Sequence, residues 1–119
     1  MCGVAFAPGG RGVAIASGAR YWLAVGYGQR ILGRIARDTG GHDEAAARFG
    51  EALGTFTSIG AQFEVGRMRL ELAELEAVRG DRVTALAHAE AADAALRDLD
   101  APIYRTRAQR LVGELRLAR

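Results

Sequence analysis

The feature that most constrains the fold is a stretch of sequence that occurs twice. Residues 32–61 align without a gap on residues 72–101. The matched pairs are Leu32 and Leu72, Gly33 and Ala73, Ile35 and Leu75, Gly40 and Gly80, Ala45 and Ala85, Ala52 and Ala92, Phe56 and Leu96, Ile59 and Leu99, and Ala61 and Ala101. Self-similarity at a period of this size is typical of stacked helical hairpins.

The hydrophobic pattern within and around the repeat predicts five helices. Apolar side chains recur at three- and four-residue steps, and short segments containing glycine or aspartate separate the runs. The expected helices cover about residues 19–39, 42–58, 61–79, 82–98 and 101–117. Since the connections are short, consecutive helices should pack as antiparallel neighbours. We therefore predict an all-α fold in which helical hairpins (about 19–58 and 61–98) and a C-terminal capping helix (about 101–117) stack as a short α-solenoid.

Two features of the predicted helices can be checked directly against a structure. Asp81 should cap the fourth helix and Asp100 the fifth, because aspartate side chains accept hydrogen bonds from free amides at a helix start. The first helix should bury one apolar stripe against its neighbours. This stripe consists of Leu23, Tyr27, Ile31, Leu32 and Ile35.

Residues 1–18 differ from the rest of the chain. Pro8 and several glycines interrupt the segment, and its apolar residues follow no clear period. A secretory signal would need a basic region ahead of a continuous apolar core, which this segment lacks. We predict a flexible, glycine-rich tail at residues 1–18, followed by one helical domain at residues 19–119.

Composition excludes several chemistries. All 16 basic residues are arginine, so neither a Walker-type phosphate loop nor a Schiff-base lysine can be formed. Cys2 is the only cysteine, so no internal disulfide can form, which fits a reducing, cytoplasmic compartment. No stretch approaches the roughly 20 apolar residues of a membrane span. His42 and His88 lie at non-equivalent places in the repeat, both matched by arginines, so we expect surface histidines with no metal site, no cofactor and no enzymatic activity.

The repeated positions resemble the tetratricopeptide repeat. The first copy carries the pattern at Leu32-Gly33, Gly40, Glu44-Ala45, Phe49 and Ala52-Leu53, and the second at Leu72-Ala73, Gly80, Ala85, Ala89 and Ala92. The resemblance covers about residues 20–117. The period of about 40 residues exceeds the usual length of about 34 residues, and it looks like the divergent repeats at the C-terminal end of large bacterial transcriptional regulators and multidomain ATPases.

The resemblance implies a protein-interaction module that binds its partner along a concave face formed by the first helix of each hairpin. On this chain that face would carry Tyr27, Arg30, Arg34, Arg37, Arg67, Leu70, Glu74, Arg107 and Arg110. Guanidinium groups bind carboxylates bidentately, so an acidic peptide or a C-terminal carboxylate is the expected partner. Chaperone-binding members of the family use lysine and asparagine for this purpose, and neither residue type is present here.

Two alternative functions remain open at this point. The ends of a two-hairpin array ordinarily need capping, so the chain could pair into a homodimer or form part of a longer array. Nucleic-acid binding through the arginines is a weaker alternative. The net charge is only +2, and acidic residues are interleaved with the arginines along the chain.

Overall fold

A computed structural model describes the backbone of residues 11–117 and the side chains of residues 18–117. Across this range the chain consists of five helices and the short turns between them, and it contains no strand. The helices are α1 (Arg11–Asp38), α2 (His42–Ser58), α3 (Gln62–Arg79), α4 (Arg82–Leu96) and α5 (Pro102–Leu117). The prediction of an all-α fold with five helices is confirmed.

Each helix packs mainly on the helix that follows it along the chain. Contacts join α1 to α2, α2 to α3, α3 to α4 and α4 to α5, with a smaller contact between α3 and α5. Glycines in the left-handed conformation help to form the turns after α1, α2 and α3, with φ of 85° at Gly40, 69° at Gly60 and 88° at Gly80. Glycine adopts this conformation without the steric penalty of a Cβ atom, which allows the chain to reverse within a few residues.

The start of α1 differs from the predicted boundary. The helix begins at Arg11, so the part of the predicted tail from Arg11 to Gly18 is helical instead of flexible. Gly12 and Gly18 lower helix propensity, but the sequence between them alternates alanines, which are the strongest helix formers, with Val13 and Ile15. The remaining part of the predicted tail, residues 1–10, lies outside the described residues.

One of the two predicted N-caps is correct. The Asp81 carboxylate accepts a hydrogen bond from the Thr84 backbone N–H at 3.1 Å, as expected for the cap of α4. The prediction for Asp100 is wrong. Pro102 is the first residue of α5. In the first helical hydrogen bond the Arg105 N–H donates to the Ala101 carbonyl at 3.0 Å. Proline has no N–H and a fixed φ, so it favours the first helical position and moves the cap to the residue before it.

The core lies between consecutive helices and includes one face of α2 and one face of α4. In the first half Phe49 and Phe56 of α2 are fully buried, and Met68 of α3 packs in the same cluster. In the second half the corresponding surface of α4 is built mainly from alanines, such as Ala85 and Ala89, together with the fully buried Leu96. Smaller side chains allow α5 to approach α4 with an alanine, Ala108, at the centre of the contact.

The predicted buried stripe of α1 is wrong, because most of it faces away from the neighbouring helix. Ile31, Leu32 and Ile35 are 53%, 46% and 56% exposed, Tyr27 is also exposed, and only Leu23 is partly buried. The face of α1 that meets α2 carries small residues instead. They are Gly26, Gly33 and Ala36. The bulk at this contact comes from the two phenylalanines of α2, so a row of small residues on α1 fits against them.

The same close approach occurs in both hairpins. A Cβ atom on Gly26 would lie 2.5 Å from Cε1 of Phe56, and a Cβ atom on Gly66 would lie 2.5 Å from Cδ2 of Leu96. Gly66 lies one repeat after Gly26, and Leu96 lies one repeat after Phe56. The sequence repeat is therefore also a repeat of helix contacts. None of the helices in the described range is both long and apolar enough to cross a membrane.

Candidate functional site

A groove of about 390 Å³ runs across α1, α3 and α5 on one side of the molecule. We call it the arginine groove. It is lined by Arg30, Arg34, Arg37, Arg67, Leu70, Glu71, Glu74, Tyr104 and Arg107. The three arginines from α1 follow one another at steps of four and three residues, which places them on one side of a helix. The fully buried Leu70 lies beneath the groove in the central helix α3.

Glu71 holds two of the α1 arginines in place. The Nε of Arg30 donates a hydrogen bond to Oε2 of Glu71, and Nη1 of Arg37 lies 3.7 Å from Oε1 of the same carboxylate. Glu71 is itself buried. A buried carboxylate is tolerated where positive charges and hydrogen bonds compensate its lost hydration, and here two guanidinium groups supply both.

Glu64 anchors a second group of side chains beside the groove. Its Oε2 accepts a hydrogen bond from the Tyr27 hydroxyl at 2.8 Å, and its Oε1 lies 3.0 Å from Nη2 of Arg67. The hydrogen bond to Glu64 raises the pKa of Tyr27, and burial and the negative charge of Glu64 add to this effect. The guanidinium of Arg67 also lies 5.5 Å from the ring centre of Phe63 and 5.9 Å from that of Tyr104. These contacts place the Arg67 guanidinium between the Glu64 carboxylate and the two aromatic rings.

The α5 side of the groove is formed by Arg107. Its Nη2 donates to both carboxylate oxygens of Glu74, at 2.9 and 2.8 Å, and its guanidinium lies 5.5 Å from the Tyr104 ring centre. Both charged side chains are partly exposed to solvent. The pair therefore links α3 to α5 at the surface and is open to competition from a ligand.

Arg34 differs from the other arginines of the groove. It is exposed, and within residues 18–117 no carboxylate lies within ion-pair distance of it. The lining contains five arginines and two glutamates, so positive charge is in excess. The groove thus combines a fixed set of paired guanidinium groups with one group that is free to bind an anion.

Seven of the nine residues predicted to bind a partner line the arginine groove. Of the other two, Tyr27 lies next to it through its hydrogen bond to Glu64, whereas Arg110 is exposed on α5 outside the lining. The sequence prediction missed Glu71 and Tyr104. A signal for Glu71 was available, since this charged residue directly before the second copy of the repeat is matched by the apolar Ile31 directly before the first.

The histidines do not contribute to the groove. His88 is half-buried, contrary to the expected surface position, and its Nδ1 lies 3.2 Å from Nη1 of Arg69. Burial lowers the pKa of His88, and the positive charge of Arg69 lowers it further. Over residues 11–117 no group of three or more histidine, cysteine, aspartate or glutamate side chains is arranged to hold a metal ion.

No protein-family model matches this chain, and comparisons with curated proteins and with solved structures give no match either. Function is therefore inferred from the groove and from the internal repeat alone.

Proposed function

We propose that this protein is a short α-solenoid related to the tetratricopeptide repeat and that it binds an acidic peptide segment in the arginine groove. In this proposal the protein performs no covalent chemistry and acts by presenting a rigid surface. The observation that carries the proposal is the convergence of five arginines from three helices on one groove, where Arg34 has no ion-pair partner among the side chains of residues 18–117.

The register of the groove supports the repeat relationship. Arg67 and Arg107, which line the groove, and Tyr27, which lies next to it, follow one another at intervals of one repeat on α3, α5 and α1. Equivalent positions of successive helices thus contribute to one continuous surface, as in solenoid proteins, whose concave faces are built from the same position of each repeat. Each helix also contacts the next helix along the chain, as expected for this arrangement.

The charges favour a peptide with a few carboxylates. A guanidinium binds a carboxylate through two parallel hydrogen bonds, and Arg34 has both of its donor edges available for such a contact. The exposed part of Arg37 can share the same ligand group. A nucleic-acid ligand usually requires an extended basic surface, whereas the net charge of this chain is only +2.

Binding of labelled peptides tests the proposal. The probe is a fluorescein-labelled octapeptide of glutamate, aspartate and alanine with a free C-terminus, and its control is the same peptide with glutamine and asparagine. We expect only the acidic peptide to bind, with an affinity that falls as salt is added, since exposed ion pairs are screened. Arg34→Glu should weaken binding at least about 10-fold, because it replaces a charge-assisted hydrogen bond by repulsion.

Arg110→Glu is the matched control, because it makes the same charge change on an exposed arginine outside the groove lining. It should leave the affinity within about twofold of the unmodified protein, apart from the small long-range effect of net charge. Equal binding of the acidic and neutral peptides, or equal effects of the two substitutions, would contradict the proposal.

A further inference from the structure

Most of the exposed apolar side chains described for α1 form one surface on the side facing away from α2, and Trp22 lies outside it. We call this surface the α1 outer face. It consists of Tyr21, Ala24, Gly28, Ile31, Leu32 and Ile35. Tyr21 is 62% exposed, and the aliphatic members are about half exposed. The face contains no charged side chain, and contiguous apolar surfaces of this kind commonly mark an interaction site.

The internal repeat identifies this surface as a helix-packing face. One repeat further along the chain, the counterparts of Gly28, Leu32 and Ile35 are Met68, Leu72 and Leu75, and in α3 all three are buried in the cluster formed with α2. The next set in register is Ala108, Val112 and Leu115. These residues of α5 belong to the clusters formed with α4. In two of three equivalent helices this face is therefore covered by another helix, whereas no helix within residues 11–117 covers it in α1.

The opposite end of the molecule does not match this face. The positions of α5 that correspond to the α2-facing side of α1 are Thr106, Gln109 and Gly113, and all three are exposed. They form a polar surface flanked by Arg110 and Arg116. Stacking the α1 outer face of one copy on this end of another would bury unpaired polar groups, which is unfavourable. Head-to-tail growth into a filament is therefore disfavoured.

The α1 outer face is complementary to itself. Its small residues Ala24 and Gly28 lie near its centre, which lets two helices approach closely when they run antiparallel. The step from Arg20 to Asp38 is about five full helical turns, so both residues lie along the same edge of the face. In an antiparallel pair centred near Gly28 and Gln29, Arg20 of one copy comes opposite Asp38 of the other. Each pair of helices thus gains two such charge contacts.

We propose that two copies of this chain form a closed dimer, with their α1 helices antiparallel and their outer faces in contact about a twofold axis. An isologous contact of this type uses the same surface twice and ends the assembly at two copies. The proposal does not depend on the function of the arginine groove, because none of the residues of the outer face lines the groove.

Sedimentation equilibrium of the full chain tests the dimer. At concentrations on the order of 100 µM the protein should be dimeric, because such a concentration populates even a weak interface of modest area. Ile35→Glu should raise the dissociation constant on the order of 100-fold or more, because each copy would bury an unpaired carboxylate. Ile103→Glu is the matched control at another exposed isoleucine, 74% exposed on α5. It should leave the dimer intact.

Charge reversal tests the antiparallel geometry. Arg20→Asp and Asp38→Arg, made separately, should each weaken the dimer several-fold because they place like charges opposite each other. The variant with both reversals should recover most of the lost affinity. A far-ultraviolet circular dichroism spectrum checks that each variant keeps its helix content.

A monomer at every concentration, assembly beyond two copies, or equal effects of Ile35→Glu and Ile103→Glu would each overturn the proposal. So would charge reversals that do not compensate each other. Peptide binding by Ile35→Glu, measured separately, shows whether the groove works in the monomer, so failure of one proposal can be told apart from failure of the other.

Discussion

At the scale of single residues, the buried glutamates of α3 determine what the arginine groove can bind. Glu71 engages Arg30 and Arg37, and Glu64 engages Arg67 and Tyr27. An arginine held by an internal carboxylate has a defined direction and less remaining charge to offer a ligand. Arg34 carries no such partner within the described residues. We therefore expect ligand recognition to depend most strongly on Arg34.

His88 makes stability depend on pH in the weakly acidic range. Because burial and Arg69 lower its pKa in the folded protein, the unfolded chain takes up a proton first as the pH falls. The stability associated with neutral His88 should be complete above about pH 6.5, the usual value for histidine, and should decline below it. Urea unfolding at pH 7.5 and pH 5 should show a larger loss of unfolding free energy for the unmodified protein than for His88→Gln.

The difference between the two proteins isolates His88, since all other titrating groups are shared. Glu76, whose negative charge acts in the opposite direction on the His88 pKa, is present in both. An equal or smaller loss of stability in the unmodified protein would show that protonated His88 is accommodated in the fold.

At the scale of helices, the contacts between α3 and α4 depend on the absence of a side chain at Gly66. The Leu96 side chain lies 2.5 Å from where a Cβ atom would stand, and Leu96 is fully buried, so it has no free space to move into. Gly66→Ala should lower the unfolding free energy by about 1–2 kcal/mol, because overpacking outweighs the gain in helix propensity.

Gly50→Ala provides the comparison for this prediction. Gly50 is an exposed residue within α2, and no other atom lies within 4 Å of a Cβ built there. The substitution should stabilise the protein by about 0.5–1 kcal/mol through helix propensity alone. Chemical denaturation measures both variants. A Gly66→Ala variant as stable as Gly50→Ala would contradict the prediction, because α3 and α4 would then have moved apart without loss of stability.

The sequence predicted the existence and order of the helices better than the faces they bury. Apolar periodicity located α2 to α5 to within a few residues, because both copies of the repeat carry the same pattern. It did not identify the buried face of α1. Leu32 and Ile35 match the buried Leu72 and Leu75, but α3 has α2 packed on this face, whereas in the described part of the chain no helix covers the same face of α1. Periodicity identifies an apolar face and not the helix that covers it.

At the scale of the whole molecule, the central helix α3 has the most complete surroundings. It contacts α2, α4 and α5, and its buried residues include Met68, Leu70 and Ala73. Because opening α3 requires its neighbours to separate, its amides should exchange hydrogen most slowly. Hydrogen exchange followed by mass spectrometry, made on the Ile35→Glu variant so that no second copy covers α1, should show the strongest protection in α3 and weaker protection in α1 and α5. Stronger protection in either outer helix would contradict this prediction.

The candidate site was only partly predictable for a related reason. The arginines on α1 could be placed on one side from their spacing, since this depends on a single helix. The partnership of Glu71 with Arg30 depends on how α1 and α3 lie side by side, and no local pattern encodes that distance. Ion pairs between distant helices of the chain, such as this one, become visible only in the assembled fold.

The packing of each helix on the next along the chain also affects how the protein reaches its folded state. Most residues that meet in the core lie on consecutive helices joined by a short turn, so the native contact order is low and little loop-closure entropy is lost when each pair forms. Either hairpin can therefore nucleate first and serve as a template for the other. Folding should be complete within milliseconds, so that the apolar faces of the helices are exposed to other molecules only briefly.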